Sequence, residues 1–343
     1  MRPWKVVRFA QAVNPRFDER LRAEPGIELA VAPLPKRPED VAAALGDADL
    51  YHVGSTRNEM SKHTFVTADL LQRFPQLLAV STYGAGHDSV DVEACTRAGV
   101  VVMNQAGGNR QSVAEHTLGL ILGVVHRIGE QDRRMRAERI ASREGVMGNE
   151  IAGRTLGLVG IGHVGTRVAA LAKAFDMPVL ATDPLVPPEE IARRGARPVS
   201  LDELVATADI VSLHCPRDAS TLRMFDARRF AQMKRGAVFI TTARGGIHDE
   251  QALAEALREG RLSGAGLDVW DPEPPPLDHP LLQLQNVIAT YHTAGVTHEA
   301  RRNVATMGSE QIVQVLRGER PPRLVNPEAW DAFRARFERR RAA

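Results

Sequence analysis

Thr155-Leu-Gly-Leu-Val-Gly-Ile-Gly-His-Val-Gly-Thr-Arg-Val-Ala-Ala-Leu-Ala-Lys-Ala-Phe-Asp-Met-Pro-Val-Leu-Ala-Thr-Asp183 decides the fold. It reads as strand, glycine turn, helix, second strand and terminal acid. Leu156, Leu158 and Val159 are strand-like, and Gly160, Gly162 and Gly165 fit G-x-G-x-x-G. In that pattern the first glycine permits a tight turn, and the second lets a phosphate approach the backbone. The third lets the helix lie close to the strand. Val168, Leu171, Ala172 and Phe175 recur at helical spacing. Val179 and Leu180 begin a second strand that ends on Asp183, 18 residues past Gly165. A carboxylate there accepts hydrogen bonds from both hydroxyls of an adenine ribose and repels a 2′-phosphate, which favours NAD over NADP.

Working outward, the 343 residues suggest two domains at roughly 150 residues each. Apolar residues make up 43% and charged residues 25%, as in ordinary soluble proteins. A net charge of +2 gives no electrostatic case for nucleic acid or membrane. Lysine stands only at Lys5, Lys36, Lys62, Lys173 and Lys234, so the basic residues are nearly all arginine, which we read as compositional bias. Cys95 and Cys215 lie far apart, without disulfide framework or zinc spacing. No metal site is expected, and a reducing, cytoplasmic location is. No apolar run reaches the length of a signal peptide or a membrane span.

Residues 1 to 103 alternate strand-like and helix-like stretches, with strands expected at Val6-Val7, Glu28 to Ala32, Leu50 to Val53, Leu78 to Ser81 and Val100 to Met103. Helices are expected at Glu39 to Leu45 and along Leu70, Leu71, Phe74 and Leu77. This is a second α/β pattern, without a dinucleotide fingerprint. Tyr83 to Asp88 interrupts it. Two glycines after a strand allow backbone amides to point at an anion, or make a plain turn. Gln111 to Ile128 reads as one long helix, apolar over much of its surface and expected between domains. Arg133 to Arg143 reads as a solvated face. From 155 to 292 strand and helix alternate, as in a doubly wound parallel sheet. Arg244, Asp268, Glu273 and His292 all fall at or just after its strand ends, where ligands bind. Thr297 to Leu316 reads as the final helix, with Thr297 as N-cap, and Arg334 to Arg341 as a frayed basic tail.

A histidine beside a carboxylate suits proton exchange near neutral pH, because the carboxylate stabilises the imidazolium. Glu273 is placed to support His292 in this way. Arg244 adds a planar fork that matches a substrate carboxylate and polarises a carbonyl. A hydride-accepting cofactor needs such partners. Spacing alone also allows an ordinary salt bridge between Glu273 and Arg244.

These residues carry a family resemblance. Gly84-Ala-Gly-His-Asp-Ser-Val-Asp91, Val113-Ala-Glu-His116 and Gly160 to Gly165 with Phe175, Met177 and Asp183 open a series of motifs. Leu213-His-Cys-Pro216 with Thr221, Ala243-Arg-Gly245, Leu267-Asp-Val269, Glu273-Pro274 and His292 complete it. The series resembles, in order, that of the D-isomer-specific 2-hydroxyacid dehydrogenases, over roughly residues 50 to 318. The resemblance implies an α/β protein of two Rossmann-like doubly wound domains. The nucleotide-binding one (104–295) is inserted into a discontinuous substrate domain (1–103 and 296–330), and a basic tail (331–343) follows. It implies that Arg244, Glu273 and His292 are catalytic, and that Gly84, Ala85 and Gly86 bind substrate together with Arg244 and His292. It implies a cofactor site of Gly160, Gly162, His163, Val164, Gly165, Asp183, Cys215, Pro216, Thr221, Thr242, Ala243 and Asp268. Cys215-Pro216 would lie near the adenine and Asp268 near the nicotinamide amide. It also implies hinge closure and a homodimer built partly by the region after residue 111.

Three positions depart from the family pattern. Thr241 stands where asparagine is frequent, and Tyr291 where proline is frequent. Gly54 stands where phosphoglycerate dehydrogenases often carry a cation, although Arg57 is near. The expected function is NAD-dependent interconversion of a D-2-hydroxy acid and its 2-oxo acid, with that small molecule as partner. The alternative is an NAD(H)-sensing interaction protein on the same fold.

Overall fold

Two parallel sheets organise the chain in a computed structural model that describes residues 2–55 and 60–342. One unit combines Met1–Asn109 with His298–Ala343, and the other is Arg110–Thr297. Arg57 lies outside the described residues.

The first unit carries β1 (Trp4–Phe9), β2 (Ile27–Ala32), β3 (Leu50–Val53), β4 (Ala79–Thr82) and β5 (Val101–Met103), ordered β2-β1-β3-β4-β5. All four ladders are parallel. Apolar side chains cover both faces, which is why the inner strands read as unbroken hydrophobic runs. The second unit carries β6 (Leu156–Val159), β7 (Val179–Thr182), β8 (Arg197–Pro198), β9 (Ile210–Leu213), β10 (Ala237–Thr241), β11 (Leu262–Leu267) and β12 (Val287–Ala289). Their order is β12-β11-β10-β9-β6-β7-β8, again all parallel. The order reverses at β6, whose neighbours are β7 and β9. A crevice opens at such a point outside the carboxyl ends of the strands.

Several expectations need correction. The long helix ends earlier than its apolar pattern suggests, spanning Arg110–Val125. Arg127 then takes a left-handed backbone (φ 58°), and a second helix runs Ile128–Ala137. The break is held by Arg127 itself, which grips Glu130 with two bonds of 2.6 and 2.8 Å. Arg has no special preference for that conformation, so the sequence gives no warning. Before β10 the helix is short, Ala227–Gln232, and capped by Asp226. Helices at Pro15–Arg22 and Val92–Arg97 had not been expected, though Asn14 and Asp91 cap them in the ordinary way.

The tail is not frayed, and His298–Leu316 is not the final helix. Trp330–Ala342 is helical, with Phe333 and Phe337 one turn apart and buried. Phe337 stacks on Trp4 at 5.0 Å, and the Arg340 guanidinium lies over the same indole at 4.8 Å. Arg340 also bonds the fully buried Asp49 at 2.8 Å, while Arg336 donates to the carbonyls of Pro75, Leu77, Ala98 and Gly99. Arginine composition hid a helix that buries Phe333 and Phe337 and whose Arg336 and Arg340 bond acceptors of the first unit, among them the buried Asp49. Among the described residues no helix is long and apolar enough to cross a membrane.

Replacing Phe333 with Ala should therefore destabilise the first unit by about 3–5 kcal/mol. Chemical denaturation followed by tryptophan fluorescence measures this; an unchanged midpoint would mean that the helix does not contribute to the core.

Candidate active site

The glycine turn joins β6 to the helix His163–Lys173. Gly160 has φ +95°, and a Cβ there would stand 2.8 Å from the Cys215 nitrogen. A Cβ on Gly165 would stand 2.3 Å from the Gly160 carbonyl oxygen, so the helix start packs directly on the turn. A Cβ on Gly162 would meet nothing within 4 Å. The first and third glycines thus serve internal packing, and the second borders open space. This is the arrangement that lets a pyrophosphate reach a helix N-terminus, with His163 and Val164 in its first turn. Asp183 follows β7. Its carboxylate accepts from Ile161 N and Leu185 N, each at 3.0 Å. One of the turn's own amides thereby fixes the acid.

Cys215 and Pro216 follow β9. The Cys215 thiol is pushed up to about 11 by burial, which leaves it protonated and inert. Thr221 closes the loop after them, donating to Pro216 O at 2.8 Å and accepting from Asp218 N at 2.9 Å. Thr242, Ala243 and Arg244 follow β10. Thr242 Oγ1 contacts Thr117 Oγ1 at 3.2 Å, and Arg244 Nη1 donates to Ala243 O at 2.8 Å.

Asp268 follows β11 and is fully buried. It accepts from Thr290 Oγ1 (2.6 Å), Thr293 N (2.8 Å) and Ala294 N (2.9 Å). The resemblance assigns Asp268 to the cofactor; in the fold its carboxylate serves the segment that carries His292. His116, from the helix Arg110–Val125, reaches Thr290 Oγ1 at 3.1 Å. Pinned on both sides, His292 takes a left-handed backbone with φ 54°. Its Nδ1 lies 3.0 Å from Glu273 Oε2. The other carboxylate oxygen, Oε1, accepts from Trp270 N at 2.9 Å. Tyr291 next to it is largely exposed.

Gly245 brings Arg244's loop against this turn, since a Cβ there would stand 1.8 Å from the Trp270 carbonyl oxygen. The second unit thus gathers Arg244, Glu273 and His292 with the glycine turn at one edge of its sheet. Sequence reasoning missed Trp270, because its contribution is a backbone amide. It also missed Glu250 and His279, which meet at 2.9 Å beneath that turn. Burial, with Asp271, Glu273 and Asp249 nearby, pushes Glu250 up to about 7, and burial lowers His279.

In the first unit Gly84, Ala85 and Gly86 follow β4. The Gly84 carbonyl accepts from Gln105 N and Thr82 Oγ1, and the Ala85 carbonyl from Asn104 Nδ2. The amides of Ala85 and Gly86 lie trans to those carbonyls, so they point the other way. Tyr83 is fixed by stacking on His52 at 4.3 Å and by donating to Phe9 O at 3.2 Å.

Residues 118–294 match the family model described as D-isomer specific 2-hydroxyacid dehydrogenase, NAD binding domain. The chain is 40% identical to a D-3-phosphoglycerate dehydrogenase of Archaeoglobus fulgidus over 255 residues, 74% of this chain but only 48% of that protein. It is 38% identical to a glyoxylate reductase of Korarchaeum cryptofilum, over 77% of this chain and 80% of that one. A D-lactate dehydrogenase of Aquifex aeolicus, solved with NAD and lactic acid, superposes with a TM-score of 0.79 at 29% identity, covering 94% of this chain and 98% of that one. The chain belongs to the D-isomer specific 2-hydroxyacid dehydrogenase family, and residues 118–294 are its NAD-binding domain.

Proposed function

We propose that the protein is an NAD-dependent oxidoreductase that interconverts a D-2-hydroxy acid and its 2-oxo acid. The observation that supports this reading most is the 3.0 Å contact between His292 Nδ1 and Glu273 Oε2, on the same sheet edge as the glycine turn. A carboxylate on Nδ1 fixes the tautomer and leaves Nε2 to exchange the proton. In oxidation Nε2 takes the hydroxyl proton of the substrate as the C2–O bond becomes a carbonyl; in reduction it returns that proton. NAD, when bound, supplies the acceptor for the C2 hydride or its donor. Arg244 pairs with the substrate carboxylate and draws electron density from the neighbouring carbonyl. The amides of Ala85 and Gly86 are assigned to the same carboxylate. His163, Val164, Cys215, Pro216, Thr221, Thr242 and Ala243 are assigned to the cofactor, with Asp183 on its ribose. A homodimer belongs to the same reading.

The first test is NADH oxidation, with NADPH in parallel, against 2-oxo acids from glyoxylate, hydroxypyruvate and pyruvate to branched, aromatic and phosphorylated members. Turnover on at least one member is expected. Silence across the panel with NADH still bound would favour a sensing role over an enzyme. His292→Ala should lower kcat by about 10²- to 10⁴-fold while NADH affinity, read by fluorescence, changes little. Undiminished turnover would remove His292 from the chemistry.

The glycine turn gives a sharper test of cofactor placement. Gly162→Ala should melt like the wild type, because its Cβ enters open space, yet lose NADH affinity. Gly165→Ala should lower the melting temperature as well, because its Cβ collides with backbone. Equal NADH affinity in Gly162→Ala and wild type would contradict a pyrophosphate at this turn. Asp183→Ser should cut the preference for NADH over NADPH by about tenfold or more. An unchanged ratio would show that another group selects the cofactor.

A further inference from the structure

Behind the His292–Glu273 pair lies a second carboxylate–imidazole pair with no place in the chemistry above. Glu250 stands in the first turn of the helix Glu250–Arg258, which Asp249 caps by accepting from Ala252 N. Its two carboxylate oxygens are divided. Oε1 accepts from Asp271 N at 2.9 Å, and Oε2 meets His279 Nε2 at 2.9 Å. His279 Nδ1 accepts from Leu281 N, so the ring's proton sits on Nε2 and points at Glu250. Both side chains are nearly buried, at 11% and 13% exposure. The same imidazole meets the Trp270 ring edge-on at 5.6 Å.

The turn between these pairs is short. The amide of Trp270 goes to Glu273, and the next amide, that of Asp271, goes to Glu250. Successive peptides of one turn are therefore held by two different carboxylates. The Trp270 indole N–H also donates to Thr290 O at 3.0 Å, two residues before His292. Its carbonyl is packed against Gly245, beside Arg244. The Trp270–Asp271 turn thus holds the Glu273 carboxylate and touches the segments that carry Arg244 and His292, at Gly245 and at Thr290, and Glu250 with His279 braces it from below.

We propose that Glu250 and His279 are positioning residues that hold the Trp270–Asp271 turn so that its amide keeps Glu273 on His292. The proposal rests on the reading of His292 and Glu273 as the proton-exchanging pair. The groups facing Glu250 are Asp271 and Glu273 from the turn, His279 from the following segment and Asp249 from its own helix end; Asp278 and His248 act on His279. Taking a carboxylate out of water beside three others is unfavourable, and burial pushes Glu250 up to about 7. Such a group is retained where its two directed bonds matter.

The test compares Glu250→Ala, Glu250→Gln and His292→Ala, each as the full chain, by kcat in the direction of 2-oxo acid reduction and by NADH binding. Glu250→Ala is expected to lower kcat about tenfold or more through misplacement of Glu273. NADH affinity should stay within about twofold of the wild type, so that the loss falls on turnover and not on cofactor binding. Glu250→Gln keeps an acceptor for the Asp271 amide and should recover most of the lost kcat. A folded Glu250→Ala protein with unchanged kcat would overturn the proposal. So would a fall in kcat matched by an equal loss of NADH-binding protein, which marks a merely structural role. If Glu250→Ala does not fold, His279→Ala, which removes one arm of the brace, is read by the same criteria. Full activity in His292→Ala would instead sink the underlying reading; an inactive His292→Ala beside an unaffected Glu250→Ala sinks this proposal alone.

Discussion

A carboxylate out of reach of water must be satisfied from several sides, and Asp268 imposes that requirement on the rest of the site. Its own amide donates to Thr241 O, which fixes it at the end of β11 beside β10. Its oxygens then draw in Thr290 Oγ1 and the amides of Thr293 and Ala294. All three donors come from the segment after β12, so the segment has to curl around the carboxylate. Ser112 secures the far side of the curl by donating to Ala294 O at 2.7 Å.

His292 stands in the middle of that curl with a left-handed backbone. For a residue other than glycine this conformation costs about 1–2 kcal/mol. It persists because donors before and after His292 are already committed to Asp268, so the intervening backbone has few alternatives. Glycine would relieve the strain but could not carry a proton. The strain is the consequence of needing an imidazole where the chain geometry favours glycine, and Glu273 completes the arrangement by fixing the ring.

Much of this was legible in the sequence because a parallel sheet places the carboxyl ends of its strands along one edge. Gly160, Asp183, Cys215, Arg244, Asp268 and His292 are far apart in the chain, yet each ends or follows a strand. Apolar runs and glycine spacing suffice to locate such positions. Backbone donors carry no residue identity, so the amide of Trp270 on Glu273 and the amides on Asp268 were invisible. The break at Arg127 uses a conformation that arginine does not advertise. The C-terminal helix was hidden for another reason: Phe333 and Phe337 sit in a run so rich in arginine that the charges outweighed the period. Their value shows only once Asp49 and the carbonyls around Leu77 and Ala98 are known to need donors.

The turn and the acid of the nucleotide motif are also less independent than their separation in sequence implies. Asp183 is oriented by Ile161 N, an amide of the turn that separates Gly160 from Gly162. Removing the carboxylate would therefore release the turn as well as the ribose contact. Loss of affinity for either dinucleotide would follow from the first effect, and only a change in the ratio between them reports the second. Phosphate and ribose recognition share a hydrogen bond here, so the motif acts as one structural unit in which the acid helps shape the cradle and selects what lies in it.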